Sequence, residues 1–282
     1  MKTYQIDLKK EYGLAGGTLD CMIADCVWRR DGADWKRPAV IVVPGGGYGC
    51  VCNDREGEAI ALEFLARGFH AFILNYEVGG ENGIPYPEQL LEEAAAVDYV
   101  RKHAKEFTVN EKEIFAVGFS AGGHLVGNLA VEHQTVSQKY GKPLDCKPTA
   151  VGLCYPVISS KHGHMGSFEN LLYGYSDEAK EELLKTLNLD EAVSAYTPPA
   201  FIWATAEDTV VPPDNAIRYA LALDRQGIAY ELHIYPKADH GLATAKEEIN
   251  IFNFKLNHQY TRAQKWLDDC ASFFRIYCEE EM

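Results

Sequence analysis

Gly118-Phe119-Ser120-Ala121-Gly122 is the stretch on which the reading of this chain turns. The pentad alone says little. With Gly and Ser each at roughly 7% of residues, about one chain in ten of this length carries one by chance. Its setting says more. Glu113-Ile-Phe-Ala-Val117 before it has the length and apolar character of a buried strand, and Ser120 to Glu132 after it reads as a helix rich in Ala and Gly. A serine in so sharp a strand-to-helix turn needs neighbours without bulk. Gly118 and Gly122 supply that, and Gly123 and Gly127 let the helix lie close to a sheet. The turn lifts the hydroxyl above the end of the strand. The helix N-terminus then puts partial positive charge beneath any negative charge that develops there.

Outward from the pentad, short β-branched runs alternate with longer helical stretches, the pattern of βαβ units on a mostly parallel sheet. The expected strands are Ala39 to Val43, His70 to Asn75, Glu113 to Val117, Ala150 to Cys154, Ala200 to Ala204 and Ala229 to Tyr235. The expected helices are Glu56 to Arg67, Pro87 to Lys105, Ser120 to Glu132, Asn215 to Gln226 and Tyr260 to Tyr277. The first thirty residues are expected to form antiparallel strands at one sheet edge. From about Ser159 to Tyr196 the rhythm breaks into a polar segment with one helical piece near Asp177 to Leu187, read as a lid-like insertion. The length suits one α/β domain over residues 1–282.

A serine hydroxyl is a poor nucleophile without a base. The base is expected after the last strand, where His240 stands in Ala238-Asp-His-Gly-Leu242. Its acid partner is expected after the preceding strand, where Asp208 stands in Thr205-Ala-Glu-Asp-Thr209. Ser, Asp, His is then the chain order that this topology requires. Glu207, Asp214 and Asp239 are rival acids. Asp214 reads as a helix-start residue, and Asp239 is too near His240 in sequence to orient its ring. His124, one turn after Ser120, reads as a packing or locally bonded residue. His162 and His164 read as loop residues without the partners a metal needs, and His70 and His233 as strand residues.

An oxyanion needs two converging N–H groups. One is expected from Ala121, directly after the serine. The other is expected from Pro44-Gly-Gly-Gly-Tyr48, with Gly46 first and Gly47 second. Tyr48 is expected as a wall of the substrate pocket, with a core position nearly as well supported.

The net charge of −14 repels phosphate backbones and anionic membrane surfaces, so neither nucleic acid nor membrane is an expected partner. No apolar stretch approaches the ~20 residues that span a bilayer. Met1 to Lys10 lacks the apolar core of a secretory leader, so a cytoplasmic setting is expected. The eight cysteines match no zinc spacing and read as free thiols. Cys50-x-Cys52 is the closest pair. No metal or organic cofactor is called for. The sequence leaves self-association open.

The pieces Pro44-Gly-Gly-Gly-Tyr48, Arg55-Glu-Gly-Glu58, Gly118-Phe-Ser-Ala-Gly-Gly-His124, Thr197-Pro-Pro-Ala-Phe-Ile202, Ala206-Glu-Asp208 with Val211-Pro212, and His240-Gly-Leu242 run in order through most of the chain. In them the chain resembles the bacterial esterase-lipase branch of the α/β-hydrolases that includes acetyl xylan esterases and feruloyl esterase-like proteins. The resemblance implies an α/β-hydrolase fold with a serine esterase site. Ser120, Asp208 and His240 would form the triad, and Gly46 and Gly47 the oxyanion loop. The implied substrates are small acylated sugars or oligosaccharides. Pro44 stands where many relatives carry His, and the tract from Glu247 to Gln259 is an unusual polar-aromatic stretch. A peptidase, an arylformamidase and a non-catalytic binding protein on the same scaffold are the rival readings.

Overall fold

The computed structural model describes residues 1–25, 35–247 and 261–278. Eight strands form one sheet: β1 (Lys2–Asp7), β2 (Thr18–Ile23), β3 (Arg37–Val43), β4 (His70–Asn75), β5 (Val109–Phe119), β6 (Val151–Cys154), β7 (Ala200–Thr205) and β8 (Tyr230–Tyr235). They lie in the order β1-β2-β4-β3-β5-β6-β7-β8. β1 pairs antiparallel with β2 and β2 antiparallel with β4, and every later pairing is parallel. The fold is the mostly parallel α/β-hydrolase sheet that the sequence predicts, with an antiparallel edge built by the N-terminus.

The central strands are near-continuous apolar runs because both faces are covered. Successive side chains point to opposite faces. From β3, Ala39, Ile41 and Val43 join one core, and Val40 and Val42 the other. From β5, Ile114 and Ala116 join the first, and Phe115, Val117 and Phe119 the second. Helices Glu88–Lys102, Ala121–Glu132 and Asp214–Arg225 cover the first face through residues such as Leu90, Leu125 and Tyr219. Helices Glu58–Ala66 and Trp266–Arg275 cover the second through Phe64, Trp266 and Phe274. Phe274 stacks on Phe115 with ring centroids 4.5 Å apart, and Trp266 stacks on Trp203 at 5.5 Å. Each such buried ring contributes about 1.5–3 kcal/mol, which fixes the last helix against β5 and β7.

The helices differ from expectation at their ends. Glu56 belongs to a separate turn, Asn53–Glu56, and the following helix runs Glu58–Ala66. The long helix stops at Lys102, with a further turn at Ala104–Phe107. The segment after β6 holds Met165–Leu171 and Leu189–Ala192 besides the expected Asp177–Leu187. The last helix begins at Trp266, after a 3₁₀ turn at Arg262–Lys265. The polar-aromatic tract, beyond Glu247, lies outside the described residues. Among the described residues no helix is long and apolar enough to cross a membrane.

Candidate active site

The parallel strands deliver their C-terminal ends to one edge of the sheet, where an open α/β sheet binds ligands. β5 ends at Phe119, and Ser120 follows with φ 53° and ψ −117° before the helix starts at Ala121. A positive φ is strained for any side chain, and this backbone is held from outside. Ser120 N donates to Cys154 O at 3.0 Å, and Ser120 O accepts from Val157 N at 3.1 Å. The turn is also crowded. A Cβ on Gly122 would stand 2.2 Å from Val43 O, so only glycine lets the nucleophile helix approach β3 this closely.

Asp208 follows β7 and His240 follows β8. His240 Nε2 lies 2.8 Å from Ser120 Oγ, and His240 Nδ1 lies 2.6 Å from Asp208 Oδ2. As a carboxylate, Asp208 can only accept, so the imidazole carries its proton on Nδ1 and Nε2 accepts from the serine hydroxyl. Asp208 is itself fixed. Its side chain is buried, and Oδ1 accepts from Val210 N at 2.9 Å and Val211 N at 2.8 Å. The His240 loop is pinned by Thr205 Oγ1 on Ala238 O at 2.8 Å and by Trp266 Nε1 on Ala243 O at 2.8 Å. The Tyr155 ring meets the imidazole edge-on, with centroids 5.0 Å apart.

After β3 the backbone turns through Gly46 at φ 131° and Gly47 at φ 62°. Gly45 O accepts from Cys52 N, and Gly46 O accepts from Gly49 N and Cys50 N. In a trans peptide the N–H opposes the C=O. These bonds therefore turn Gly46 N–H and Gly47 N–H the other way. Gly45 N–H is already committed to Glu56 Oε2 at 2.8 Å, whereas Gly46, Gly47 and Ala121 N–H have no protein acceptor among the described residues. The site thus has a nucleophile–base–acid line and unspent N–H donors beside it.

A cavity of about 540 Å³ opens over Ser120 and His240. Gly46, Gly47, Cys50, Arg55, Glu56, His164, Asn170, Val210 and Asp239 also line it. Tyr48 does not, which corrects the expectation of a pocket wall. Its left-handed backbone, φ 58°, turns the ring inward, where it is 1% exposed and packs against Tyr76 and His124. Among the described residues the imidazole bonds Asp208 and none of the rival acids. Glu207 pairs with Lys237, Asp214 opens the helix Asp214–Arg225 and pairs with Arg218, and Asp239 is an exposed residue at the cavity. His124 is buried and bonded as expected, and burial pushes its imidazole down to about 4.

Glu56 is the residue that the sequence reading left without a role. It is 3% exposed, and both oxygens are committed. Oε2 accepts from Gly45 N, and Oε1 accepts from Tyr155 Oη at 2.8 Å; Tyr155 Oη in turn accepts from Ala243 N at 2.9 Å. One carboxyl group therefore joins the glycine loop to the His240 loop. Burial raises its pKa, opposed by the hydrogen bonds from Gly45 and Tyr155 and by the nearby His240. Asn170, from the segment after β6, donates to Gly47 O at 2.9 Å, a contact that no motif in the sequence marks.

Comparison with known proteins gives one consistent picture. The BD-FAE family model matches residues 27–223, and the dienelactone hydrolase family model matches residues 172–278. The chain is 38% identical over 220 residues to endo-1,4-beta-xylanase B of Butyrivibrio fibrisolvens, a match covering 77% of this chain and 34% of that protein. It is 34% identical over 210 residues to an acetylxylan esterase of Xylanibacter ruminicola, covering 72% of this chain and 40% of that protein. The chain thus matches well under half the length of these curated relatives. Among solved structures it is similar to an acetyl ester-xyloside bifunctional hydrolase from Caldicellulosiruptor lactoaceticus. That match has a TM-score of 0.78 and 31% identity, and covers 97% of this chain and 96% of the other.

Proposed function

Because the chain belongs to the BD-FAE family of α/β-hydrolases, we propose that it is a serine carboxylic ester hydrolase removing short acyl groups, acetyl first, from sugars or oligosaccharides. The observation that carries this reading is the line Asp208–His240–Ser120, bonded at 2.6 and 2.8 Å and opening on the cavity. Ser120 Oγ attacks the ester carbonyl as His240 Nε2 takes its proton. Asp208 holds the imidazole in the required tautomer and stabilises its cation. The tetrahedral oxygen is received by Ala121 N–H with Gly46 or Gly47 N–H. The protonated imidazole gives its proton to the departing sugar oxygen. Water activated by the same base then cleaves the acyl-enzyme and releases the carboxylate.

The printed names of the xylanase, the acetylxylan esterase and the acetyl ester-xyloside hydrolase support an acetylated xylo-oligosaccharide as substrate. The chain is read as one α/β-hydrolase unit, with residues 159–196 covering one side of the entrance through His164 and Asn170. The described cysteines are all free thiols, which supports a cytoplasmic setting and short oligosaccharides rather than polymer. Acetate release from acetylated xylo-oligosaccharides should exceed turnover of an aminoacyl amide and of N-formylkynurenine. A p-nitrophenyl ester series should favour acetate over long acyl chains. Preference for long chains, or for either amide substrate, would overturn the assignment.

A further inference from the structure

The glycine loop is held at its far end by a residue that touches no reacting atom. Tyr48 follows Gly47 directly. Its hydroxyl lies 2.7 Å from His124 Nδ1, and His124 Nε2 lies 2.8 Å from Leu187 O. A carbonyl oxygen can only accept, so the Nε2 proton goes to Leu187 and Nδ1 must accept from the Tyr48 hydroxyl. The pair is thus a single ordered relay. His124 stands one turn along the nucleophile helix, and Leu187 ends the helix Asp177–Leu187 in the segment after β6. Both rings are buried, Tyr48 at 1% and His124 at 0% exposure, and Phe168 from the same segment packs edge-on to the imidazole at 5.0 Å. Asn170 Nδ2 on Gly47 O and Gly79 N on Tyr48 O complete the clamp.

We propose that His124 is a positioning residue that, through Tyr48, ties the oxyanion loop to the 159–196 segment, so that this segment sets the oxyanion geometry instead of merely covering the cavity. The proposal rests on the serine-hydrolase reading. Burial keeps the imidazole neutral at assay pH, so the relay has one tautomer throughout. Without the Tyr48 hydroxyl, the Gly47–Tyr48 turn keeps its backbone bonds from Asn170 and Gly79 but loses its tie to His124 and Leu187, and the N–H donors loosen at the oxyanion.

Tyr48→Phe removes one oxygen from an otherwise unchanged ring. Deleting an oxyanion donor costs about 10²–10³ in rate, and loosening one should cost about tenfold. The expected result is a kcat for p-nitrophenyl acetate about tenfold lower. The Ki of phenylboronic acid, whose tetrahedral adduct fills the oxyanion site, should rise by the same factor, while KM stays within about twofold. His124→Asn should lower kcat as well, and the Tyr48→Phe/His124→Asn pair should lose no more than the worse single variant. A purely structural role would lower the melting temperature but leave kcat and Ki unchanged in the folded protein, which would overturn the proposal. In the wild type, imidazole ¹⁵N shifts at pH 7 should place the His124 proton on Nε2. A proton on Nδ1 would also overturn it, with no variant required. Wild-type protein that hydrolyses no ester would sink the hydrolase reading and this proposal with it. Wild-type turnover with unaltered variants sinks only the proposal.

Discussion

Asp208→Asn is the substitution whose outcome the geometry dictates most tightly. Oδ1 of Asp208 accepts from Val210 and Val211 N–H, and Oδ2 faces His240 Nδ1. An asparagine must keep its oxygen on the two N–H donors, because its amide would clash with both. Its NH₂ then points at Nδ1 and forces that nitrogen to accept. The imidazole proton moves to Nε2, where it faces the Ser120 hydroxyl, 2.8 Å away, and can no longer take its proton. The expected loss in kcat is about 10⁴, or ~5.5 kcal/mol in the barrier. The fold should be spared, since Val210 and Val211 keep an acceptor and no volume changes. The assay is p-nitrophenyl acetate hydrolysis beside thermal unfolding of both proteins. A variant that melts with the wild type yet keeps more than about a tenth of its kcat would refute the tautomer argument.

Three further outcomes follow from named contacts. Gly46→Ala puts a Cβ 2.0 Å from Cys50 O at a φ of 131°, so the loop must shift, and kcat should drop about 10²–10³-fold with folding retained; an active Gly46→Ala protein would remove this loop from the oxyanion site. Ser120→Gly should be more stable than Ser120→Ala by about 1 kcal/mol, because glycine relieves the strain at φ 53° that alanine keeps; equal urea midpoints would deny that strain. Glu92 is a buried carboxyl whose Oε2 accepts from Glu77 N and whose Oε1 has no partner among the described residues, and burial pushes it up from 4.5 to about 8. The raised value favours the protonated form in the folded state. Its stabilisation is complete below about pH 4.5 and is lost as pH rises through about 8. Wild type should therefore lose on the order of 4 kcal/mol between pH 5 and 9 from this group, and Glu92→Gln should flatten that decline; parallel pH profiles of the urea midpoint would contradict it.

The middle of the sheet was legible because strands such as β3 and β7 are covered on both faces, so each reads as an unbroken β-branched or aromatic run whatever lies around it. His240 and Asp208 were placed by topology, since the ends of successive parallel strands must meet at one edge. The rest depends on contacts that leave no period in the sequence. Glu56 is an acid in a short turn, and nothing in Arg55-Glu-Gly-Glu58 says that its oxygens reach Gly45 N and Tyr155 Oη. Tyr48 misled because the sign of its φ, which decides whether the ring faces the cavity or the core, is not written in a glycine-rich loop. The helices Met165–Leu171 and Leu189–Ala192 are too short to show a 3.6-residue pattern. Position set Asp214 and Asp239 aside in the sequence, but Glu207 is told from Asp208 only by its pairing with Lys237. The lone Cys50-x-Cys52 pair turned out to border the cavity through both residues, which spacing alone did not convey.

The central claim is that Ser120 is an activated nucleophile in the folded protein. Mass spectrometry of the chain after treatment with a fluorophosphonate tests it most directly. The account predicts one adduct per chain, mapped to Ser120, lost in Ser120→Ala and slowed steeply in Asp208→Asn. A folded wild-type protein that takes up no adduct, or takes it up on another residue, would contradict it.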